Sequence, residues 1–260
     1  MTDQDSRQVN AGSFGAAATE YERGRPGYPA AALDWLLPNG VRRVLDLGAG
    51  TGKLTRPLLE RGLEVVAVEP LPQMRAELVR VLPTVEALSG TAESIPLPAG
   101  AVQAVLVAQA WHWVEVDRAV PEVARVLSPG GQLGLVWNER DDREDWVAEL
   151  GRITRLRPDL EMDYDTVRVG APFGPLERTE IAWTHHLGRD ALVDMIASRS
   201  YVITAPSHER AKVLKDVRIL LDTHPALSGT ADLALPYITH CFRTRVRADT
   251  ASPLGRDPNS

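Results

Sequence analysis

The chain has 260 residues, of which 44% are hydrophobic and 25% charged, a composition typical of a globular protein with a sizeable core. Its formal net charge of −6 argues against a nucleic-acid partner, because proteins that bind phosphate backbones carry a basic excess. With one cysteine, Cys241, a polar opening segment and no run of roughly 20 apolar residues, the sequence predicts a cytoplasmic protein without disulfide, metal or membrane span.

Short apolar segments alternate with amphipathic ones between about residues 43 and 138, which predicts βαβ units and a parallel sheet. The predicted strands are VRRVLDL, LEVVAVE, TVEALSG, VQAVLVAQ and GQLGLVWN. Helical spacing of apolar residues predicts helices that begin at Lys53, Pro72 and Asp117. The SPGG segment at Ser128 is predicted to end the third helix and turn into the fifth strand.

The pattern changes after Arg140. A helix is predicted after the acidic DDREDW segment, followed by a strand over LERTEIAWTHHLG, two helices between Arg189 and His224, and a last strand over YITHCFRTRVR. The two late strands can pair antiparallel at the sheet edge, with the helices between them as a lid over a pocket; a plain packing layer is the alternative. The polar tail over 248–260 is predicted to be disordered.

A glycine-rich turn joins the first strand to the first helix in VLDLGAGTGKLT, residues 44–55. Gly48, Gly50 and Gly52 allow a sharp turn and let a ligand approach the backbone amides at the helix start. A dinucleotide-binding motif would place its third glycine one residue later, and the Asp46 carboxylate would repel a pyrophosphate. The charge therefore favours a ligand with an ammonium and a sulfonium group.

Acidic residues also follow the second and third strands. Glu69 comes twenty-one residues after Gly48, about the offset at which an acid reaches the ribose of a bound adenosine. Thr91, Ala92 and Glu93 follow the third strand, where backbone amides and a carboxylate can face the adenine edge. The spacing predicts an adenosine-containing ligand.

The order of these segments resembles class I S-adenosylmethionine-dependent methyltransferases. The residues that carry the resemblance are DLGAGTG, the acidic strand end at Glu69, GTAESIPLP, AQAWHW and LSPGGQLGLVW, within about residues 40–140. More narrowly, the chain is similar to the type 11 methyltransferase domain and its trans-aconitate methyltransferase-like group. YERGRPGYP, residues 21–29, resembles the leader that this group folds over its cofactor, which implies a contact from Tyr21.

The resemblance implies a Rossmann-like α/β fold with a seven-stranded, mostly parallel sheet, its last strand antiparallel, helices on both faces and a helical lid inserted between the last two strands. We expect a single domain over 1–247, with an N-terminal cap over 1–39, a cofactor-binding core over 40–140 and a C-terminal half over 141–247.

The implied cofactor is S-adenosylmethionine, with S-adenosylhomocysteine as its product and no metal. The implied contacts are Asp46, Gly48, Ala49, Gly50 and Gly52 for the methionine part, Glu69 for the ribose, Pro70, Leu71, Met74, Thr91, Ala92 and Glu93 around the adenine, and Gln109 and Ala110 on the far wall. The family often has an aspartate where Thr91 stands, so the adenine contact can pass to Glu93.

The expected reaction is methyl transfer to the oxygen, carbon or carboxyl group of a small organic molecule. His112 follows the fourth strand and is the candidate general base; packing against the cofactor or capping the next helix is the alternative. Trp111, Trp113 and Trp137 lie at the ends of strands four and five. Large rings there can wall an acceptor pocket, which we expect for Trp111 and Trp113, or belong to the core.

Asn138 and Arg140 follow the fifth strand and face the predicted acceptor side. Arg140 can clamp an acidic substrate, or form a surface ion pair with Asp141 or Asp142. Two other functions compete with methyl transfer: a non-catalytic sensor of S-adenosylmethionine or S-adenosylhomocysteine, and an NAD(P)-dependent oxidoreductase, which the glycine spacing disfavours.

Overall fold

A seven-stranded sheet organises the chain. The computed structural model describes residues 26–154, 162–203 and 205–247. The strands are β1 (Arg43–Leu47), β2 (Glu64–Val68), β3 (Glu86–Leu88), β4 (Val102–Ala108), β5 (Leu127–Arg140), β6 (Glu177–Gly188) and β7 (Asp232–Arg245), in the spatial order β3-β2-β1-β4-β5-β7-β6. The first five strands pair in parallel, whereas β7 is antiparallel to both β5 and β6. The predicted mostly parallel sheet with a reversed last strand is confirmed.

Helices cover both faces of this sheet. They are α1 (Ala30–Leu36), α2 (Thr55–Glu60), α3 (Pro72–Val81), α4 (Val116–Val126), α5 (Asp145–Thr154), α6 (Arg189–Ala197), α7 (Ser200–Ile203) and α8 (Ser207–Thr223). Alternate strand residues point to opposite faces. Val44 therefore packs with Leu33 of α1, whereas its neighbour Leu45 shares a core cluster with Val123 of α4. The predicted fold class is confirmed on this point as well.

Two strands begin more than two residues away from their predicted starts. β5 already begins at Leu127 and includes the SPGG segment, where its pairing with β4 shifts register between Val102 and Ala104. β7 begins at Asp232 and not at Tyr237, because Leu233 and Leu235 continue the alternation of buried residues past Pro236. Proline and glycine were wrong as boundary signals here, because Pro236 pairs with Thr184 of β6 and residues 128–131 lie within the register shift of β5.

The helices α6, α7 and α8 lie between β6 and β7 in the chain, where the sequence predicted two helices; the additional one is the four-residue α7. Their buried residues form a second core with α5 and the ends of both strands, including Trp146, Leu192 and Val217. Whether this layer moves as a lid stays a prediction. The 248–260 tail and most of the predicted N-terminal cap, with Tyr21, lie outside the described residues. No helix within the described ranges has the length and apolar character needed to cross a membrane.

Candidate functional site

The glycine turn after β1 has three residues in left-handed backbone conformations. The φ angles are 75° at Gly48, 58° at Gly50 and 96° at Gly52, a region that favours glycine. A Cβ atom on Gly48 would lie 3.0 Å from Cβ of Ala110, and one on Gly52 would lie 2.9 Å from Cδ1 of Leu82. A Cβ atom on Gly50 would meet no atom of the described residues within 4 Å. Both ends of the turn are therefore packed against protein, while its middle faces open space.

Asp46 lies fully buried near the end of β1, two residues before the turn. The Thr55 hydroxyl donates a 2.6 Å hydrogen bond to Oδ2, whereas Oδ1 has no hydrogen-bond partner among the described residues. Burial raises the pKa of Asp46 to about 7; the Thr55 bond lowers it, and the nearby Glu69 adds to the rise. A cation at the turn would favour the ionised form of this carboxyl group.

Glu69 holds the turn from the neighbouring strand. Its Oε2 accepts a 2.8 Å hydrogen bond from the backbone N–H of Gly50, and its Oε1 accepts one of 2.8 Å from the N–H of Leu71. Only 6% of the residue is exposed, and this burial raises the pKa of Glu69. The Arg75 guanidinium donates to the Glu69 backbone carbonyl at 2.6 Å. Glu69 thus lies at the turn, and the ribose contact that its spacing from the glycines predicts stays a prediction.

The residues predicted around an adenine follow the neighbouring strands β2 and β3, whose carboxyl ends share one sheet edge. Met74 and Ala92 are buried, Leu71 is half-buried and Pro70 is exposed. Thr91 forms an isolated backbone bridge with Ser94, with two hydrogen bonds of 3.3 Å.

Glu93 accepts a hydrogen bond at the start of α4. Its Oε1 accepts a 2.8 Å hydrogen bond from the N–H of Glu115, the residue directly before α4. Its role at an adenine edge, like the other cofactor contacts, stays a prediction.

Gln109 follows β4 in a strained conformation. Its φ of 57° is positive, which is uncommon for a residue with a side chain and costs about 1–3 kcal/mol. The backbone N–H donates to the Val136 carbonyl at 2.9 Å, and Nε2 donates to the Asn138 carbonyl at 3.2 Å. These bonds fix Gln109 against β5, beside Ala110 and the packed end of the glycine turn.

Asn138 connects three parts of the chain. Its Nδ2 donates to the Gly27 carbonyl at 2.8 Å, and its Oδ1 accepts a 2.7 Å bond from the Thr239 hydroxyl. Trp183 Nε1 in turn donates to the Thr239 oxygen at 2.8 Å. The segment before α1 is therefore held against β5, β7 and β6 at the predicted acceptor side.

An open pocket lies beside Gln109 and Asn138. Its remaining lining residues come from separate parts of the chain and are Pro26, Tyr28, Lys53, Arg199 and Tyr237. The sequence marked Lys53 only as the start of a predicted helix. Arg199 and Tyr237 had no local signal, because they reach the pocket only when the chain between α6 and α7, and the strand β7, fold back onto the first strands.

The WHW segment forms a short 3-10 helix, Trp111–Trp113, after β4. Trp111 is buried and its Nε1 donates to the Arg168 carbonyl at 3.2 Å, whereas Trp113 is 38% exposed. Trp137 is buried on β5 and its Nε1 donates to Nδ1 of His112 at 3.3 Å. Protein atoms crowded around the imidazole lower the pKa of His112 to about 4, although the residue keeps an exposed side. His112 is therefore neutral at pH 7.

Arg140 is engaged by a neighbouring helix. Its guanidinium donates to the Thr154 hydroxyl of α5 at 3.1 Å, while Asp141, a candidate ion-pair partner, binds Arg143. His185 and His186 are adjacent on β6. Among the residues that the structure describes, no cluster of three or more histidine, cysteine or acidic residues can hold a metal ion.

Comparison with known proteins gives consistent matches over this architecture. Residues 45–135 match the family described as "Methyltransferase domain". An uncharacterized methyltransferase of Mycobacterium tuberculosis is 58% identical over 238 residues, which cover 92% of this chain and 97% of that protein. A methyltransferase-like protein of Schizosaccharomyces pombe is 33% identical over 247 residues, which cover 91% and 96%.

A solved structure described as a type II methyltransferase, from Anaeromyxobacter dehalogenans, has a TM-score of 0.65 and 26% identity. The match covers 86% of this chain and 98% of that one. The similarity to these proteins therefore includes both the glycine turn and the C-terminal helices.

Proposed function

Because this chain belongs to the S-adenosylmethionine-dependent methyltransferases, we propose that it transfers the methyl group of S-adenosylmethionine to a small organic molecule. The observation that carries this proposal is the glycine turn, which is open at Gly50, held by Glu69 and placed next to the buried carboxyl group of Asp46. Asp46, Glu69 and the turn would hold the methyl donor.

The residues present fit a cationic adenosyl amino acid. Asp46 keeps one buried oxygen without a hydrogen-bond partner among the described residues, and burial raises its pKa to about 7, so a nearby positive charge would favour its ionised form. Glu69 adds a second carboxylate at the same turn. The Asp46 carboxylate would repel the pyrophosphate of a dinucleotide, which is the physical argument against the NAD(P)-dependent alternative.

The acceptor would bind beside Gln109 and Asn138, where the pocket of about 30 Å³ would have to widen to admit an organic molecule. The donor supplies a methyl group already activated by its sulfonium, so this chain's main contribution is to hold the acceptor atom in line and to exclude water. The strained Gln109 and the hydrogen-bonded Asn138 are suited to that task because their positions are fixed by several backbone contacts.

The chain's charge disfavours a nucleic acid as the acceptor, because proteins that bind phosphate backbones carry a basic excess. A small molecule is the acceptor class that we propose, since side chains from six segments of the chain line one pocket.

Calorimetry with S-adenosylmethionine, S-adenosylhomocysteine and NADH tests the proposal. We expect the two adenosyl ligands to bind the wild-type protein and Gly50→Val to weaken both by at least tenfold. Gly40→Val is the matched control, because Gly40 also has a positive φ of 72° and open space where a Cβ atom would lie, but precedes β1. Binding of NADH without binding of either adenosyl ligand would contradict the proposal.

A screen of hydroxylated aromatics, quinol precursors and small carboxylic acids then tests turnover, with release of S-adenosylhomocysteine as the readout. We expect at least one acceptor class to give release above the rate without acceptor, and Gly50→Val to abolish it. Tight donor binding with no release across the whole screen would favour the sensor alternative.

A further inference from the structure

Two cationic side chains line the pocket beside Gln109 and Asn138. Lys53 directly follows Gly52 at the end of the glycine turn, and Arg199 comes from the segment between α6 and α7. Among the described residues that line this pocket, none is acidic. The chain as a whole has the opposite balance, with 35 acidic residues against 29 lysines and arginines. The charged side chains at the pocket are therefore opposite in sign to the net charge of the protein.

Arg199 is held in place by its backbone. Its N–H donates to the Ile196 carbonyl at 3.1 Å, and its carbonyl accepts bonds of 2.9 Å from the N–H groups of Val202 and Ile203. The residue is half-buried, and water and salt screen such a charge less than they screen a fully exposed one. A guanidinium in this position is suited to a small oxyanion, because two of its N–H groups can form parallel, charge-assisted hydrogen bonds.

Lys53 brings the second positive charge from the glycine turn. Burial lowers the pKa of His185 on β6, and the nearby Lys53 ammonium adds to the decrease. The ring of His185 lies 6.4 Å, centroid to centroid, from the ring of Tyr237, which lines the pocket. The charge of Lys53 therefore acts on the side of β6 and β7 that borders the pocket.

The neutral polar groups at the pocket already have partners within the protein. Nε2 of Gln109 donates to the Asn138 carbonyl, and Nδ2 of Asn138 donates to the Gly27 carbonyl. The Tyr237 hydroxyl donates to Sδ of Met195 at 3.6 Å. These bonds fix the walls of the pocket. The two cations are its strongest donors, because charge-assisted hydrogen bonds are roughly twice as strong as neutral ones.

Resting on the proposed function, we infer that the methyl acceptor is a small organic anion whose oxyanion group binds between Arg199 and Lys53. Carboxylate, sulfonate and phosphate groups share the chemistry that these two side chains recognise. Arg199 is the specificity-determining residue from the C-terminal half, and Lys53 holds the anion beside the glycine turn. A neutral molecule of the same shape would remove water from both cations without replacing it by a charge, and would bind more weakly.

Molecules of nearly the same shape and different charge test this inference. The anions benzoate, benzenesulfonate and phenyl phosphate are compared with neutral benzamide and cationic benzamidine by ligand-detected NMR titration, both without and with S-adenosylhomocysteine. We expect at least one anion to bind about tenfold or more tightly than benzamide, and benzamidine to bind more weakly than either. The anion that binds most tightly identifies the preferred oxyanion group. If all three anions bind no better than benzamide, the inference is wrong.

Substitutions then locate the bound anion. We expect affinity for the preferred anion to fall roughly 10- to 100-fold in Arg199→Gln and in Lys53→Gln, and to recover in large part in Arg199→Lys. Arg218→Gln is the matched control, because it removes the same charge from an exposed arginine of α8 that does not line the pocket. Unchanged anion affinity in folded Arg199→Gln, or an equal loss in Arg218→Gln, would overturn the inference. Lys53→Gln decides in the same way if Arg199→Gln does not fold.

The affinity of the same variants for S-adenosylhomocysteine separates this inference from the proposed function. Arg199→Gln should bind that ligand within about twofold of the wild type, since Arg199 lies outside the glycine turn. A wild-type protein that bound the anions but not S-adenosylhomocysteine would contradict methyl transfer. Binding of S-adenosylhomocysteine with no preference for the anions would instead overturn only the acceptor class.

Discussion

The two halves of the sheet build their parts of the candidate site in different ways. In the first half, the donor-side residues come from a short stretch, because Asp46, the glycine turn and Glu69 lie at the ends of the adjacent strands β1 and β2. In the second half, Asn138, Arg199 and Tyr237 meet at one pocket from distant parts of the chain. Under the proposed function, donor binding would therefore depend on local geometry, and acceptor binding on how the C-terminal half packs.

Loss of one of the two hydrogen bonds that Glu69 accepts should have the largest effect on stability and on donor binding. In Glu69→Gln, an amide NH2 would face the Gly50 N–H or the Leu71 N–H, so one buried donor loses its acceptor. We expect a stability loss of about 1–3 kcal/mol and at least tenfold weaker S-adenosylhomocysteine binding, measured by urea unfolding and calorimetry. Glu64→Gln, at the exposed start of the same strand, is the control and should bind normally. Normal S-adenosylhomocysteine binding by Glu69→Gln would contradict the claim that the Glu69 carboxylate holds the glycine turn for donor binding.

The pH dependence of protein stability should reveal the raised pKa of Asp46. Its folded pKa of about 7 exceeds the unfolded value of 3.8, so the folded state holds a proton that the unfolded state releases, and stability from this group falls as pH rises from about 4 to 7. In the wild type, this group should lower the free energy of unfolding by roughly 2 kcal/mol between pH 5 and 8. Asp46→Asn should lack that decrease, measured by urea unfolding.

Donor binding should show the opposite trend with pH. Because the cationic donor favours ionised Asp46, wild-type affinity for S-adenosylmethionine should rise as pH increases from 5.5 to 7.5, whereas Asp46→Asn should bind roughly tenfold more weakly at pH 7.5 with a flatter profile. Asp34→Asn changes an exposed aspartate that pairs with Arg61, and should follow the wild type. Parallel pH profiles for wild type and Asp46→Asn would count against a titrating carboxyl group at the turn.

A substitution in the acceptor half should lower turnover and leave donor affinity nearly unchanged. Asn138→Ala removes the acceptor for the buried Thr239 hydroxyl and the donor for the Gly27 carbonyl, at a cost of about 1–2 kcal/mol. We expect S-adenosylhomocysteine affinity to stay within about twofold, because no contact of Asn138 reaches the glycine turn directly. Turnover of any acceptor found in the screen should fall severalfold. A donor-affinity loss as large as that of Glu69→Gln would show that the two halves are not separable.

The smallest change in stability is expected at Gln109, which follows β4 and bonds to β5. Gln109→Gly relieves the positive φ but loses the bond to the Asn138 carbonyl, so the free energy of unfolding should change by less than about 1 kcal/mol. Gln109→Val, with a β-branched side chain at the same φ, should cost more than about 1 kcal/mol. Equal stability of the two variants would mean that backbone strain at this residue is negligible.

The sequence indicated the positions of the glycine turn and of Glu69 because the signals for them are local, whereas their contacts to a methyl donor stay predictions. Glycines that need positive φ, and an acid at a fixed distance from them, are visible in a short stretch such as residues 44–69. The sheet and its reversed last strand also followed from alternation and from family resemblance. The true starts of β5 and β7 did not, because proline and glycine were given more weight than continued burial.

The acceptor half was less predictable because its residues meet only through tertiary packing. No periodicity links Arg199 to Gln109, and nothing in the sequence indicated that Trp137 would donate to His112. The buried positions of Trp111 and Trp137 likewise depend on how the segment around Arg168 and Tyr164 covers the sheet.

A crystal structure of the complex with S-adenosylhomocysteine tests the central claim most directly. The account predicts the amino-acid part of the ligand over the open side of Gly50 and the ribose hydroxyls within hydrogen-bond distance of the Glu69 carboxylate. A ligand bound elsewhere, with the glycine turn and Glu69 making no contact to it, would contradict the account.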